Sequence, residues 1–459
     1  MEKDNQLTKN IKKIEKCRNC QKSDLIQILS LGNQYLVDFL EDDVDKNYAA
    51  PLDLVLCNRN DGGCGLLQLQ HSVSPDLLYR RFWYKSGVNQ TIRNDLENIV
   101  NKAEEKIDLI DDKIVVDIGA NDGTLLRFYK KTSLKLVGFE PATNLLEEAS
   151  VGTFKIFNEY FNAKSFRNEF GQRKASVVTS ISMFYDLDNP GEFVEDVKNI
   201  LDQNGIWILQ MNYLVSMLEN NAFDNIVHEH LEYYSLQSLE YLLNKYNLEV
   251  FDVEENNING GSIRVFIKFK DCRKFSISDR VANVREYETK IGLDNKKPYL
   301  DFAERILNLK KITCKFIDEE VNNGKKIYVY GASTRGNTLL QYYGLDSKSI
   351  LAAAERNPDK WGKKTVGSKI PIISEKQARL DKPDYFFVLP WYFVDEFKIR
   401  EKEYLQDGGM FLITLPEFKL LDLNQSYSFL NYRRKNISNN LKCMILFNKI
   451  SSILPKFLA

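Results

Sequence analysis

The sequence predicts a multidomain α/β protein. A central, mostly parallel sheet of seven strands follows a small cysteine-bearing module and precedes a second, smaller α/β domain. Three observations carry that expectation. Strand-like and helix-like segments alternate over residues 113–270 and end in two strands joined by a turn. A second alternation of the same kind starts at Lys325. Two pairs of cysteines stand before residue 75, in a stretch too short to build a core of its own.

Residues 1–14 read as a polar leader, and 15–75 as a metal-stapled module. The pairs are Cys17-Arg18-Asn19-Cys20 and Cys57 with Cys64, about forty residues apart. Four thiolates satisfy tetrahedral Zn²⁺ and leave no open position, so the metal is structural. The second pair is stretched, and Gly62-Gly63 lets its loop bulge and still deliver both sulfurs. Cys272, Cys314 and Cys443 lie apart and read as buried apolar fillers.

Residues 76–112 form a helical connection, with Leu77, Leu78 and Phe82 and then Leu96, Ile99 and Val100 at helical spacing. The central strands are expected at 113–118, 134–140, 154–157, 175–181, 205–211, 249–255 and 261–269. Only Asn256 to Gly260 separates the last two, so they form an antiparallel hairpin closing the sheet. Residues 271–324 are a charged helical bridge and 325–422 the second α/β domain. Residues 423–459 hold six basic residues and no acid. They read as a solvated extension, the alternative being a partner- or membrane-contacting helix built on Ile445, Leu446, Ile450, Ile453, Leu454 and Phe457.

Composition excludes several classes. The 63 basic and 64 acidic side chains nearly cancel, so no global field recruits nucleic acid. No apolar run reaches the length of a membrane span. Met1 to Lys16 is polar and charged, which predicts no secretory leader and a reducing cytoplasm, where paired cysteines bind metal. The oligomeric state, monomer or dimer, stays open.

The chemistry starts at Asp117-Ile-Gly-Ala-Asn-Asp-Gly123, which ends an apolar strand. Small residues there let the backbone approach a ligand. Dinucleotide sites use Gly-x-Gly-x-x-Gly and seat pyrophosphate on a helix N-terminus. Here an acid heads the loop, which repels phosphate and suits a cation. S-adenosylmethionine (SAM), with its ammonium and sulfonium, fits. Asp117, Gly119, Asn121 and Gly123 form its expected loop, and Glu140, at the tip of the next strand, sits where ribose hydroxyls are held. The motif looks like the first motif of class I methyltransferases. Ser180 and Ser182, ending the fourth strand, are expected at the cofactor and Tyr185 at the substrate.

Two of the three histidines lie in His228-Glu229-His230, after the fifth strand and its helix and hence over the ligand-binding edge of the sheet. An imidazole beside a carboxylate can be a general base near neutral pH, and His230 is placed ahead of His228. The alternative is packing, one histidine capping a helix and the other filling a gap. Ser235 reads as the N-cap of a helix Leu236 to Tyr246. Tyr84 and Ser86 could meet a sugar or phosphate, or pack on the core; Arg264 could reach an anion. In the second α/β domain, Gly331-Ala-Ser-Thr-Arg-Gly336 follows a strand and lacks the dinucleotide spacing. Arg335 could meet a diphosphate there, and Glu355 a ribose; otherwise the domain is a scaffold.

Together these residues resemble the sugar C-methyltransferase family, whose members methylate C3 of nucleotide-linked 4-keto-6-deoxyhexoses. Four pieces in one order carry the resemblance over about residues 15–420: the cysteine pairs ending Cys64-Gly-Leu-Leu-Gln-Leu69, the loop Asp117 to Gly123, His228-Glu-His-Leu-Glu-Tyr-Tyr-Ser235, and Tyr330-Gly-Ala-Ser-Thr-Arg-Gly-Asn-Thr-Leu-Leu-Gln341, which includes Asn337. The resemblance implies a zinc-binding N-terminal domain, a class I SAM domain, and a Rossmann-like C-terminal domain that shares in holding the nucleotide sugar. It implies that His230, with Glu229 beside it, removes the proton next to the keto group, and that Tyr84 belongs to the active site. The chain departs from the family pattern at Phe184-Tyr185, where relatives carry His, and at Val227, where they carry Tyr. Competing readings are a sugar O-methyltransferase, a non-catalytic SAM-binding scaffold and an NAD-dependent sugar reductase.

Overall fold

The computed structural model describes residues 11–36, 39–40, 48–79 and 84–428. The chain divides into two compact units: residues up to Leu36 with Lys46–Glu304, and Val37–Asp45 with the chain from Arg305 onward.

The first unit is built on a seven-stranded sheet whose strands we number β1 (Ile114–Ile118), β2 (Lys135–Phe139), β3 (Lys155–Phe157), β4 (Ala175–Ile181), β5 (Leu201–Asn212), β6 (Leu248–Asn256) and β7 (Ser262–Phe269). Their order is β6-β7-β5-β4-β1-β2-β3. The pairs from β5 to β3 are parallel, and β7 runs antiparallel to both β5 and β6. This is the expected class I methyltransferase topology, hairpin included. Every residue of β1 is buried, as a central parallel strand covered on both faces requires. One cover is helix Gln90–Lys106, which turns Ile92, Leu96, Ile99 and Ala103 onto Val115, Val177, Ile206 and Ile208. Asn89 starts that helix by accepting the N–H groups of Thr91 and Ile92. The expected helix from Leu236 ends at Asn244, and its predicted cap holds: Ser235 and Ser238 close a capping box.

The cysteine module contributes strands Ile26–Tyr35, Ala49–Leu56 and Leu67–Leu69 to a four-stranded sheet. The fourth strand is Glu232–Tyr233, which comes from the central domain. Of the helical connection, Pro75–Tyr79 and Gln90–Lys106 are helices, and Phe82 lies outside the described residues.

The second unit has its own seven-stranded sheet, led by Ile327–Tyr330 between Ala352–Glu355 and Tyr385–Val388 in parallel. It closes with the antiparallel strands Lys419–Leu421 and Ser426–Tyr427, the latter inside the expected tail. Residues 429–459 lie outside the described residues. Helix Lys297–Asn322 runs across the division between the units. Phe39–Leu40 pairs with Lys364–Thr365, so a stretch expected in the cysteine module belongs to the second unit.

Candidate cofactor loop, zinc centre and catalytic segment

The four cysteines converge. The Sγ atoms of Cys17, Cys20, Cys57 and Cys64 all lie within 4.8 Å of one another, and none is in a disulfide. Gly62 takes φ +76°, and a Cβ at Gly63 would stand 2.6 Å from Cys57 Sγ. The glycine pair therefore does what the stretched loop needs: it folds the extra residues out of the way of the sulfurs. A set of four thiols, three of them buried, with no carboxylate or histidine fits a closed structural Zn²⁺ site. Gln68 Nε2 donates to Cys17 Sγ at 3.2 Å, a bond that orients this sulfur toward the other three. Arg18, between the first two cysteines, is buried, donating to Leu69 O at 2.6 Å, Ser72 Oγ at 2.9 Å and Asp188 Oδ1 at 3.1 Å.

The acid-headed loop also has its expected form. Gly119 and Gly123 both take φ +74°, and a Cβ on Gly123 would lie 2.8 Å from Ala149 O. Asp117 is 3% exposed and accepts Thr179 Oγ1 at 2.6 Å. Burial pushes its carboxyl up to about 7, with Glu140 and Asp122 adding repulsion. Glu140 is raised too, by burial, although it accepts the N–H groups of Asn121 at 2.8 Å and Ala142 at 2.7 Å. Two desolvated carboxylates at the C-terminal end of β1 and β2 make a place for a cation and for hydroxyl donors, which fits SAM and disfavours a pyrophosphate. Ser182, with φ +55°, directly follows β4, and its N–H donates to Gln210 O at 2.8 Å. Ser180, expected at the cofactor, is fully buried, and its Oγ accepts the Trp207 indole at 3.1 Å; it serves packing.

The His-Glu-His segment is pinned by the cysteine module. His228 is 3% exposed and its Nε2 bonds Ala50 O at 2.9 Å. Burial lowers its pKa to about 4, so it is a neutral structural imidazole at pH 7. Leu69 N donates to Leu231 O at 2.8 Å, and Glu232 pairs with Gln68. His230 is only partly buried. Its Nδ1 bonds Asn225 O at 2.8 Å, which makes Nδ1 the protonated nitrogen and Nε2 the basic one. Its ring meets Tyr185 edge to face at 4.5 Å. Beside it, Glu229 is pushed up to about 7 by burial. Glu229 Oε2 and Asp186 Oδ1 are buried with no hydrogen-bond partner among the described residues. Asp186 is raised by burial and then by Glu229, whose backbone carbonyl accepts the Tyr79 hydroxyl at 3.0 Å. Neither Asp186 nor Tyr79 stood out in the sequence; the one signal was Asp186 directly following the Phe184-Tyr185 departure.

The remaining expected residues are distributed. Tyr84 and Ser86 lie against the cofactor loop through their backbones: Asn121 Nδ2 donates to Tyr84 O at 3.1 Å, and Ser86 N donates to Asn121 Oδ1 at 2.9 Å. Arg264 is 2% exposed and committed to Gln210, Asn98, Glu254 and Asp95, so it clamps β7 to helix Gln90–Lys106 rather than meeting a ligand. In the second unit, Arg335 stacks over Tyr392 at 4.9 Å, and Asn337 is buried in helix Thr334–Tyr343. Glu355 caps its own turn by accepting the N–H groups of Arg356 and Asn357, and it pairs with Lys360 at 3.6 Å.

Three family models match in chain order: a putative zinc binding domain over residues 17–79, a methyltransferase domain over 88–253, and a C-methyltransferase C-terminal domain over 257–416. The C-methyltransferase NovU of Streptomyces niveus is 32% identical over 416 residues, which span 90% of this chain and 98% of that protein. Among solved structures, the plantazolicin methyltransferase BpumL in complex with SAH is similar at 13% identity and TM-score 0.31, over 38% of this chain and 82% of its own. An S-adenosylmethionine-dependent methyltransferase from Clostridium acetobutylicum ATCC 824 is similar at 15% identity and TM-score 0.31, over 40% and 92%.

Proposed function

Because the chain belongs to the C-methyltransferase family and is a SAM-dependent methyltransferase with a zinc-binding module, we propose that its substrate is a nucleotide-linked keto-deoxysugar and that His230 is the general base. The observation that supports this most is the setting of His230: its Nδ1 is hydrogen-bonded to Asn225 O, which fixes the tautomer, and its sequence neighbour Glu229 is a buried carboxyl pushed up to about 7. A carbon acid next to a ketone needs that pairing. His230 Nε2 takes the proton from the carbon. The bonding pair moves into the carbonyl, and the oxygen gains negative charge. A carboxyl held near neutrality, as Glu229 is, can donate a hydrogen bond to that oxygen. Bound SAM supplies the electrophilic methyl group, and the protein supplies position, desolvation and proton removal. Asp117 would hold the cofactor's ammonium and Glu140 its ribose. Tyr84, Ser86 and Tyr185 border the sugar.

His228 takes no proton in this scheme; it holds the segment to Ala50. Among the described residues, no helix is long and apolar enough to cross a membrane. A reducing cytoplasm suits four thiols kept for a metal.

A panel of nucleotide keto-sugars with methyl-labelled SAM tests the substrate class. Solvent deuterium entering the carbon next to the ketone, and its loss in His230→Ala, tests the base. An O-methylated product, or deuterium exchange that persists in His230→Ala, overturns the scheme.

A further inference from the structure

The cofactor loop spends two polar side chains on another part of the chain. Asn121 Oδ1 accepts Ser86 N–H at 2.9 Å, and Asn121 Nδ2 donates to Tyr84 O at 3.1 Å. Asp122 is fully buried, and its Oδ2 accepts Gly87 N–H at 2.7 Å. Lys85 reaches Glu148, in the short helix Leu146–Ala149, at 2.9 Å. Side chains of one loop thus hold the backbone of three neighbouring residues. Burial does little of this work, for Tyr84 is 45% and Val88 78% exposed. The approach is close enough to require glycine: a Cβ on Gly87 would lie 2.8 Å from Asp122 Oδ2 and 2.9 Å from Thr124 Oγ1. The chain of bonds continues inward, because Asn121 N–H donates to Glu140 Oε2 at 2.8 Å while Asn121 holds φ +51°.

We propose that Asn121 and Asp122 are positioning residues that latch segment 84–88 to the cofactor loop, so that seating the cofactor on that loop and Glu140 tightens the segment bearing Tyr84 and Ser86. A ligand hydroxyl on Glu140 and an ammonium on Asp117 fix the loop that carries both latch side chains. The segment then gains order without touching the cofactor. Binding in this enzyme is accordingly ordered: cofactor first, acceptor second, onto a segment the cofactor has made rigid. The inference rests on SAM-dependent methyl transfer alone and stands whatever the acceptor is.

Amide hydrogen exchange of the full-length, zinc-loaded chain, with and without SAH, tests it. Asn121→Gly deletes one latch side chain while keeping a residue content with positive φ. Gly87→Ala attacks from the other side and substitutes no residue of the cofactor loop. In the wild type, SAH slows exchange at Ser86 and Gly87. In each variant, exchange there is about tenfold faster, the worth of one such hydrogen bond, and SAH no longer restores it. SAH binding by calorimetry to Gly87→Ala persists, which separates latching from cofactor binding. The proposal is overturned if SAH protects these amides equally in the wild type and both variants, or if it leaves them unchanged in the wild type.

Discussion

Asp117→Asn should stabilise the cofactor-free protein and weaken the cofactor complex. The carboxyl is 3% exposed, and burial with two acidic neighbours lifts it from 3.8 to about 7. Its folded pKa is therefore above its unfolded one. Below pH 4 both states hold the proton and the residue costs nothing. Between pH 4 and 7 the folded state keeps a proton that the unfolded state has lost, so stability falls as pH rises. Above pH 7 the full cost is present: a rise from 3.8 to about 7, at ~1.36 kcal/mol for each pH unit, comes to about 4 kcal/mol. Asparagine keeps the shape and can still accept Thr179 Oγ1, and it never ionises. Urea unfolding at pH 8 should show the variant more stable by a few kcal/mol, and at pH 4 the gap should close. A charge-assisted hydrogen bond to the ligand ammonium contributes about 1.5–3 kcal/mol, so SAH affinity at pH 8 should drop roughly ten- to hundredfold in the variant. In the wild type, affinity should fall about tenfold per pH unit below 7, since a proton must leave before the ligand binds. A variant less stable than wild type at pH 8, or SAH affinity flat from pH 5.5 to 8, refutes the reasoning.

His228 gives the opposite sign. Its folded pKa is lowered from 6.5 to about 4, so the unfolded state binds its proton first, and roughly 3 kcal/mol of stability is lost as pH falls from 6.5 to 4. His228→Gln should flatten that part of a melting-temperature profile; an unchanged acid limb would contradict it. Stripping zinc with a chelator, or Cys64→Ser, should raise amide exchange across residues 228–233 while β1 and β4 stay protected, because Leu69 and Gln68 carry the ladder to Leu231 and Glu232. Equal exchange in that segment with and without metal would separate the module from the His-Glu-His segment.

The central sheet was legible because its signals are local. Ile114-Val115-Val116 ahead of a glycine turn reads as a buried strand, and Asn256 to Gly260 between two apolar runs reads as a hairpin. The cysteine cluster was legible from residue type and spacing, which zinc imposes. Side-chain destinations set by distant neighbours were not. Ser180 reads as a strand-end serine, but its hydroxyl is claimed by Trp207, twenty-seven residues on. Arg264 reads as an anion contact until Asp95 and Asn98, about 170 residues earlier, arrive to saturate it. Asp186 lacked any motif of its own; its environment is made by Tyr79 and Glu229 from separate segments.

The same long-range logic explains why two histidines two residues apart differ. His228 and His230 share a sequence neighbourhood, so no local rule separates them. The separation comes from strand Ala49–Leu56 of the cysteine module, whose Ala50 carbonyl takes His228 out of solvent and out of the protonation range near neutrality. That contact, with the ladder through Leu69 and Gln68, fixes the backbone on both sides of Glu229 and His230. A base that must reach a carbon-bound proton needs its position held to within a fraction of an ångström, and a segment outside regular helix or strand cannot supply that by itself. A metal-stapled sheet next to it can. If His230 is the base, the zinc module would thus support it by rigidity, at a distance, without a ligand position open to substrate.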